Sequence, residues 1–244
     1  MPHKILLILP AYNEEGKIGS LVRKAKKSIV SGIFVACDGC TDRTEEEARE
    51  AGAIVSALGK RCGVGNAIRR GIDYALEKGY DIGVIMGGDD QDDPQEISHL
   101  IKKIDEGYDF VIGSRYLPGG KTVNQNLFRF LTTKMYSAFF SVFAMKGLSD
   151  ASNGFRAFRT RICKSMDLWR SDIDGYELEP VMLFEAVKNF RFAEVPVTKY
   201  YHKGKSYSKM KVFVDWWKII RPVLWKFWEG AWGNGGKSSR RAAI

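Results

Sequence analysis

The chain has 244 residues, 45% of them hydrophobic, and a formal charge of +9 at neutral pH. That length and apolar content suit one large α/β domain with a tail better than two separate domains. The charge calls for an anionic partner, whether nucleotide phosphates, lipid headgroups or nucleic acid, without choosing among them.

Met1 leads through a short apolar stretch, Ile5 to Leu9, straight into Pro10, too short for a signal peptide, so a cytosolic location is expected. Apolar runs then alternate with amphipathic stretches, the pattern of repeated β-α units and a largely parallel sheet covered by helices. The expected strands are Lys4–Leu9, Ile33–Cys37, Ile54–Leu58, Ile82–Met86 and Phe110–Gly113. Helices are expected at about Lys17–Ser28, Asp42–Ala51, Gly65–Lys78 and Pro94–Glu106, with Asp42 and Glu45 forming a capping box for the second. Gly52, Gly79 and Gly107 fall where helix C-caps belong. Ligands of open parallel sheets bind beyond the carboxyl ends of the strands. The loops after Leu9, Cys37, Leu58, Met86 and Gly113 should therefore face one crevice.

Further on come an aromatic-rich helix (Asn126–Met145), a Gly-Phe-Arg-Ala-Phe segment, a helix near Glu177–Asn189 and a strand Arg191–Tyr200. Arg129 and Lys134 interrupt the aromatic stretch, which argues for a packed or groove-lining helix and against a membrane span. From Lys211, polar residues alternate with Val212, Trp216, Ile219, Val223 and Phe227 at helical spacing, with a break expected at Pro222. This tryptophan-rich helix, 211–232, suits either a membrane surface or the chain's own domain. The Gly-, Ser- and Arg-rich 233–244 reads as a disordered tail, leaving 1–210 as the catalytic unit.

The cysteines Cys37, Cys40, Cys62 and Cys163 are too scattered for a disulfide framework, and the Cys37–Cys40 pair lacks the second pair of a zinc ribbon. Packing or loop roles fit them better than redox chemistry. The loop Met86-Gly-Gly-Asp-Asp-Gln-Asp-Asp-Pro94 places Asp89, Asp90, Asp92 and Asp93 at a strand end, a charge density that asks for a hard cation, Mg²⁺ or Mn²⁺. Asp92 and Asp93 individually read better as helix caps. No helix-turn-helix, zinc or RNA-recognition signature is present, which argues against a nucleic-acid partner. A dinucleotide dehydrogenase is also a poor fit, because the first strand ends in Pro10-Ala-Tyr-Asn and not in a glycine-rich turn.

Pro10-Ala-Tyr-Asn-Glu-Glu15, Asp38-Gly-Cys-Thr-Asp42, Gly65-Asn-Ala-Ile-Arg69, the aspartate loop, Gly113-Ser-Arg115 and Asp150-Ala-Ser-Asn-Gly-Phe-Arg156 occur in the order seen in family 2 glycosyltransferases. The set, spanning residues 4 to 210, most resembles the dolichol- or polyprenyl-phosphate sugar transferases of the GT-A fold. The resemblance implies an inverting glycosyltransferase that moves a sugar from a UDP- or GDP-sugar donor to a polyprenyl phosphate, on the cytoplasmic face of a membrane, with a separate membrane protein as a further possible partner. It implies a nucleotide pocket of Pro10, Ala11, Tyr12, Glu14, Asp38 and Asp89, with Asp38 bonded to the base, and catalytic roles for Asp89, Arg156 and Asp150. It assigns the metal to Asp89 and Gln91, and diphosphate or acceptor phosphate to Arg115, Lys134, Arg156, Lys205 and Lys209. Two family features are missing. Gly87 stands where the first aspartate of the metal loop is usual, with Asp90 as a substitute, and Tyr201, His202 and Lys203 approach Gly204 where a basic residue is usual. A phosphate acceptor needs no general base. A hydroxyl acceptor would need one, and Asp150 and Glu177 are the candidates, although Asp150 could equally orient Arg156. A binding protein without turnover is the alternative from another class.

Overall fold

The computed structural model describes residues 3–201, 220–221 and 224–228. Nine strands form in chain order: β1 Ile5–Ala11, β2 Gly32–Asp38, β3 Ile54–Leu58, β4 Ile82–Ile85, β5 Phe110–Ser114, β6 Lys121–Val123, β7 Arg156–Arg159, β8 Phe192–Pro196 and β9 Thr198–Tyr200. The helices are α1 Ile18–Ala25, α2 Thr44–Glu50, α3 Val64–Glu77, α4 Ile97–Asp105, α5 Leu127–Ala144, α6 Thr160–Cys163 and α7 Leu178–Asn189, with a 3₁₀ turn at Pro94–Glu96 before α4.

Seven strands make one sheet in the order β3-β2-β1-β4-β7-β5-β8, parallel except for β7. β1 is apolar throughout because both of its faces are covered. Leu6 and Ile8 pack toward α3, α5 and α7, whereas Leu7 and Leu9 pack toward α1, α2 and α4. β2 and β4 flank β1 on opposite sides, the chain running outward through β2 to β3 and then crossing back by α3 to β4, so the loops after β1, β2 and β4 meet at one switch point and form the crevice.

The α/β architecture and its five parallel strands match the sequence reading, and Gly52, Gly79 and Gly107 each close a helix at positive φ. The second half differs in two places. The Gly-Phe-Arg-Ala-Phe segment supplies β7, which runs antiparallel between β4 and β5. The expected strand over 191–200 is two: β8 joins the main sheet beside β5, and after Pro196 the chain crosses to pair β9 with β6. Proline has no N–H for a continuing ladder, and Val197 fills the corner by donating to Ser114 O (3.0 Å) and accepting from Lys121 N (3.0 Å). Nor does a capping box form at α2. Asp42 does accept from Thr44 N (3.0 Å), but Glu45 pairs with Arg49 (2.7 Å) and does not reach back.

The described turn of the tryptophan-rich helix docks on the chain's own domain. Phe227 meets Phe143 edge-on at 5.3 Å, Lys226 pairs with Glu185 (2.6 Å) and Asp167 (3.2 Å), and Trp225 lies under Arg170 (3.8 Å). Trp228 stays exposed. Lys205, Lys209, Pro222, most of 211–232 and the tail 233–244 lie outside the described residues.

Candidate active site

Three loops are tied together on the left of the crevice. Asn13, at φ 53°, accepts from Thr41 N (2.9 Å) and donates to Thr41 Oγ1 (3.1 Å), while Glu14 N donates to Thr44 Oγ1 (2.7 Å). The Glu14 carboxylate is held by Lys17 at 2.7 Å. Tyr12 lies face-on to Arg61 at 4.3 Å, a ring and a cation side by side at the mouth. Asp38, at the end of β2 and buried, accepts from Cys62 N (2.6 Å) and Gly63 N (3.0 Å). Its carboxylate thus pins the loop after β3 and keeps lone pairs for a further donor.

That pinned loop is covered by the segment 168–174. Arg69 holds it through Nε to Leu168 O (2.5 Å) and through its terminal nitrogens to Asp174 Oδ1 (2.6 Å), Arg170 O (2.7 Å) and Ile173 O (2.8 Å), and is itself oriented by Asn66 Oδ1 on α3 (3.0 Å). Gly63 sits at φ 98°, and a Cβ there would fall 2.5 Å from Asp174 O. Only glycine admits both that backbone and the close approach.

The four aspartates after β4 separate into four roles. Asp90 turns away at φ 58° to pair with Lys24 (2.9 Å), so it does not stand in for the missing carboxylate at Gly87. Asp93 caps the 3₁₀ turn through Gln95 N (3.0 Å), as its sequence position suggests. Asp92 is not a cap: its side chain is fully buried and both oxygens face Lys199 Nζ, at 3.0 and 2.8 Å. Burial pushes the Asp92 carboxyl up against the pull of Lys199. Burial also works against the charge on Lys199, but Asp92 and Asp89 outweigh it and hold the ammonium above the ordinary lysine range. Asp89 remains half-buried at the crevice, its Oδ1 accepting from Gln91 N (3.3 Å). Gln91 is buried and its carbonyl accepts from Tyr200 N (2.8 Å). A Cβ on Gly87 would stand 3.0 Å from Asp89 Oδ1, so an aspartate there would adjoin Asp89. Among the described residues no three His, Cys, Asp or Glu side chains form a metal cage.

On the right, Arg115 is buried and grips Asp150 with Nε (2.6 Å) and a terminal nitrogen (2.7 Å), while its other terminal nitrogen donates to Tyr201 Oη (2.5 Å). Burial alone would weaken the charge on Arg115, but Asp150 more than reverses that and raises its pKa. The Asp150 turn is itself held by Glu194 of β8, which accepts from Ser149 N (2.9 Å) and Asp150 N (3.0 Å). Lys134 lies over the Tyr116 ring (4.2 Å) and Arg129 over the Tyr201 ring (4.8 Å), so Arg115, Arg129 and Lys134 gather around two tyrosines. Arg156 does not join them. It is 2% exposed and donates to the carbonyls of Asn153 (2.9 Å), Glu179 (2.8 Å) and Ala151 (3.3 Å), tying the 150–154 turn to α7. Asp150 pairs with Arg115 and not with Arg156. Glu177 is largely buried at the start of α7, and its carboxylate, which has no hydrogen-bond partner among the described residues, keeps its oxygens open to solvent.

Lys199, Arg69 and Glu194 were missed as site residues. Lys199 and Glu194 had a signal, a charge within an apolar strand run; Arg69 had only its place at the end of a motif. Cys37 and Cys40 lie beside Asp38. The hydrogen bond between the thiols lowers Cys40 to about 7 and raises Cys37.

A mostly parallel α/β sheet with an acidic loop and a cationic cluster at its switch point matches the GT-A fold. Residues 6–166 match the model of glycosyl transferase family 2, and the chain belongs to that family of glycosyltransferases. It is 30% identical to the polyprenol monophosphomannose synthase of Mycolicibacterium smegmatis, over 99% of this chain and 91% of that protein. It is 27% identical to the undecaprenyl-phosphate mannosyltransferase of Micrococcus luteus, over 93% and 97%. In fold it is similar to the glucosyl-3-phosphoglycerate synthase of Mycobacterium tuberculosis solved with Mn²⁺, UDP-glucose and phosphoglyceric acid, with a TM-score of 0.71, 18% identity, and 92% of this chain and 80% of that one covered.

Proposed function

We propose that the chain transfers a sugar from a nucleoside-diphosphate sugar to a polyprenyl phosphate at a membrane surface. The observation that carries this is the charge on the acceptor side. Arg115, Arg129 and Lys134 converge there, and the nearby carboxylates Asp150 and Glu194 are both consumed in holding the turn. A phosphate acceptor suits such a site, because it is already an anion and needs no base. The names of the relatives from Mycolicibacterium smegmatis and Micrococcus luteus point to the same acceptor class.

Tyr12 and Arg61 would flank the base, and Asp38 would accept from an N–H of uracil or guanine. Pro10 and Ala11 form the floor beside Gly88, whose N–H donates to Pro10 O at 3.3 Å. Mg²⁺ and Mn²⁺ are commonly held by one or two carboxylates together with substrate phosphates and water, which Asp89 at the crevice fits. When bound, the cation would neutralise charge that grows on the leaving diphosphate. The acceptor oxygen would displace that diphosphate in one inverting step, with Arg115 and Lys134 holding the acceptor side positive.

The membrane reading rests on α5. Leu127, Phe128, Leu131, Met135, Val142 and Met145 are all at least half exposed on it. From Phe110 to Ser149 there is no acidic residue, while Lys121, Arg129, Lys134 and Lys146 are basic. An apolar stripe with cations on its flanks suits an anionic bilayer, each cation near the surface adding about 1 kcal/mol. Among the described residues no helix is long and apolar enough to cross a membrane.

A second reading, a hydroxyl acceptor, is favoured by the Glu177 carboxylate, which has no hydrogen-bond partner among the described residues. Supplying a short polyprenyl phosphate or a saccharide with a panel of UDP- and GDP-sugars separates the two. Lipid-linked sugar that persists in Glu177→Gln supports the phosphate acceptor, whereas product on the saccharide alone, lost in Glu177→Gln, replaces it.

A further inference from the structure

Residues 167–177 form neither helix nor strand, so no backbone ladder holds the cover over the loop after β3. Leu168 and Ile173 are buried in the core, and the residues around them make two groups of contacts. The first is with α3 and its N-terminal loop. Asp174 O accepts from Asn66 N (3.1 Å), Trp169 Nε1 donates to Asp73 (2.9 Å), and Arg69 takes the carbonyls of Leu168, Arg170 and Ile173. The second group is with the C-terminal turn. The Arg170 guanidinium lies on the Trp225 ring (3.8 Å), and Lys226 bridges Asp167 (3.2 Å) to Glu185 (2.6 Å). Glu185 is a buried carboxylate between Phe184 and Ala186 of α7, and Phe227 anchors the same turn against Phe143 of α5 (5.3 Å). Arg170 is the joint between the two groups, its carbonyl bonded by Arg69 and its side chain stacked on Trp225.

The loop after β3 is thus held at Cys62 N and Gly63 N by Asp38, and at Asn66 N by the cover. A segment without regular structure is among the first parts of a fold to open, and its place depends on such side-chain contacts. Building on the donor reading above, we propose that Trp225 and Lys226 are positioning residues for the donor nucleotide, bracing 167–174 so that the 62–66 loop stands ordered beside Asp38 before the base arrives. The ordering cost then falls on folding and not on binding, which favours affinity for the donor. The acceptor side, with Arg115, Arg129 and Lys134, has no part in this brace.

Two readouts on the full chain test this: titration of UDP and of GDP in the presence of Mn²⁺, and backbone hydrogen exchange over 60–69. Trp225→Ala with Lys226→Met should weaken the nucleotide about three- to tenfold, the cost of ordering a side chain or two on binding. Exchange over 60–69 should rise, while buried β1 exchanges as in the wild type. In turnover the donor KM should rise by the same factor, with kcat and the KM for a short polyprenyl phosphate unchanged. Lys226→Arg, which keeps the bridge, should bind nucleotide as the wild type does, and so should Trp228→Ala, whose side chain is exposed on the same turn. A folded double variant with wild-type nucleotide affinity overturns the proposal, as does exchange that rises equally in β1, the mark of general loosening. If the double variant does not fold, Trp225→Leu, which leaves the Lys226 pairs in place, is judged by the same two criteria. Should neither nucleotide bind the wild type, the donor reading fails, while exchange over 60–69, faster or unchanged, still decides the brace.

Discussion

Replacing Asp150 by asparagine separates a structural carboxylate from a catalytic base. Asp150 is fully buried and meets Arg115 with both oxygens, at 2.6 and 2.7 Å, while Oδ2 also accepts from Arg115 N (3.1 Å). The isosteric amide keeps the shape but leaves a buried guanidinium without its counter-charge. Breaking a buried pair from one side costs about 3–5 kcal/mol, mostly from the charge left behind. For a domain of this size each kcal/mol moves Tm by about 2–4 °C, so Asp150→Asn should melt about 6–20 °C lower. Removing both partners, as Asp150→Leu with Arg115→Met, should recover most of that loss, because a packed apolar pair carries no such penalty. Calorimetry on the three variants measures this. An Asp150→Asn protein that melts within about 2 °C of the wild type yet has lost turnover would refute the reasoning and make Asp150 a base.

Three further outcomes are expected. Arg69→Met removes four hydrogen bonds to the 168–174 cover and should cost about 2–4 kcal/mol, with faster proteolytic cutting inside that segment in native buffer. Cys40, lowered to about 7, loses its proton as pH rises through neutrality. Its alkylation by iodoacetamide should therefore climb from pH 6 to pH 8 with a midpoint near 7, Cys37 remaining unlabelled, and a midpoint near 9 would contradict the thiol pair. Leu131→Glu with Val142→Glu places two carboxylates on the exposed stripe of α5 and should cut flotation with anionic liposomes several-fold without lowering Tm; unchanged flotation would remove α5 from the membrane reading.

The first half of the fold was legible because its signals are local. Buried parallel strands read as continuous apolar runs, and Gly52, Gly79 and Gly107 mark helix ends at positive φ. The second half was less so. β7 is four residues long and carries arginine at both ends, so nothing in its pattern announces a central antiparallel strand; its place is set by Phe158 packing across Gly83. The aspartate loop was legible as a loop, but not as four separate fates. Lys24 and Lys199, which take Asp90 and Asp92, lie 66 and 107 residues away in sequence. Arg156 illustrates the same limit, because its position in a motif resembles a phosphate ligand while its donors end on carbonyls inside the protein.

The most direct measurement of the account is formation of lipid-linked sugar from a UDP- or GDP-sugar and a short polyprenyl phosphate, with Mg²⁺ or Mn²⁺, by the wild type and by Asp89→Ala. The account predicts product and released nucleoside diphosphate in equal amounts from the wild type, and loss of both in Asp89→Ala with the fold intact. A donor that binds but yields no lipid product under either metal, or an Asp89→Ala protein that turns over normally, would contradict it.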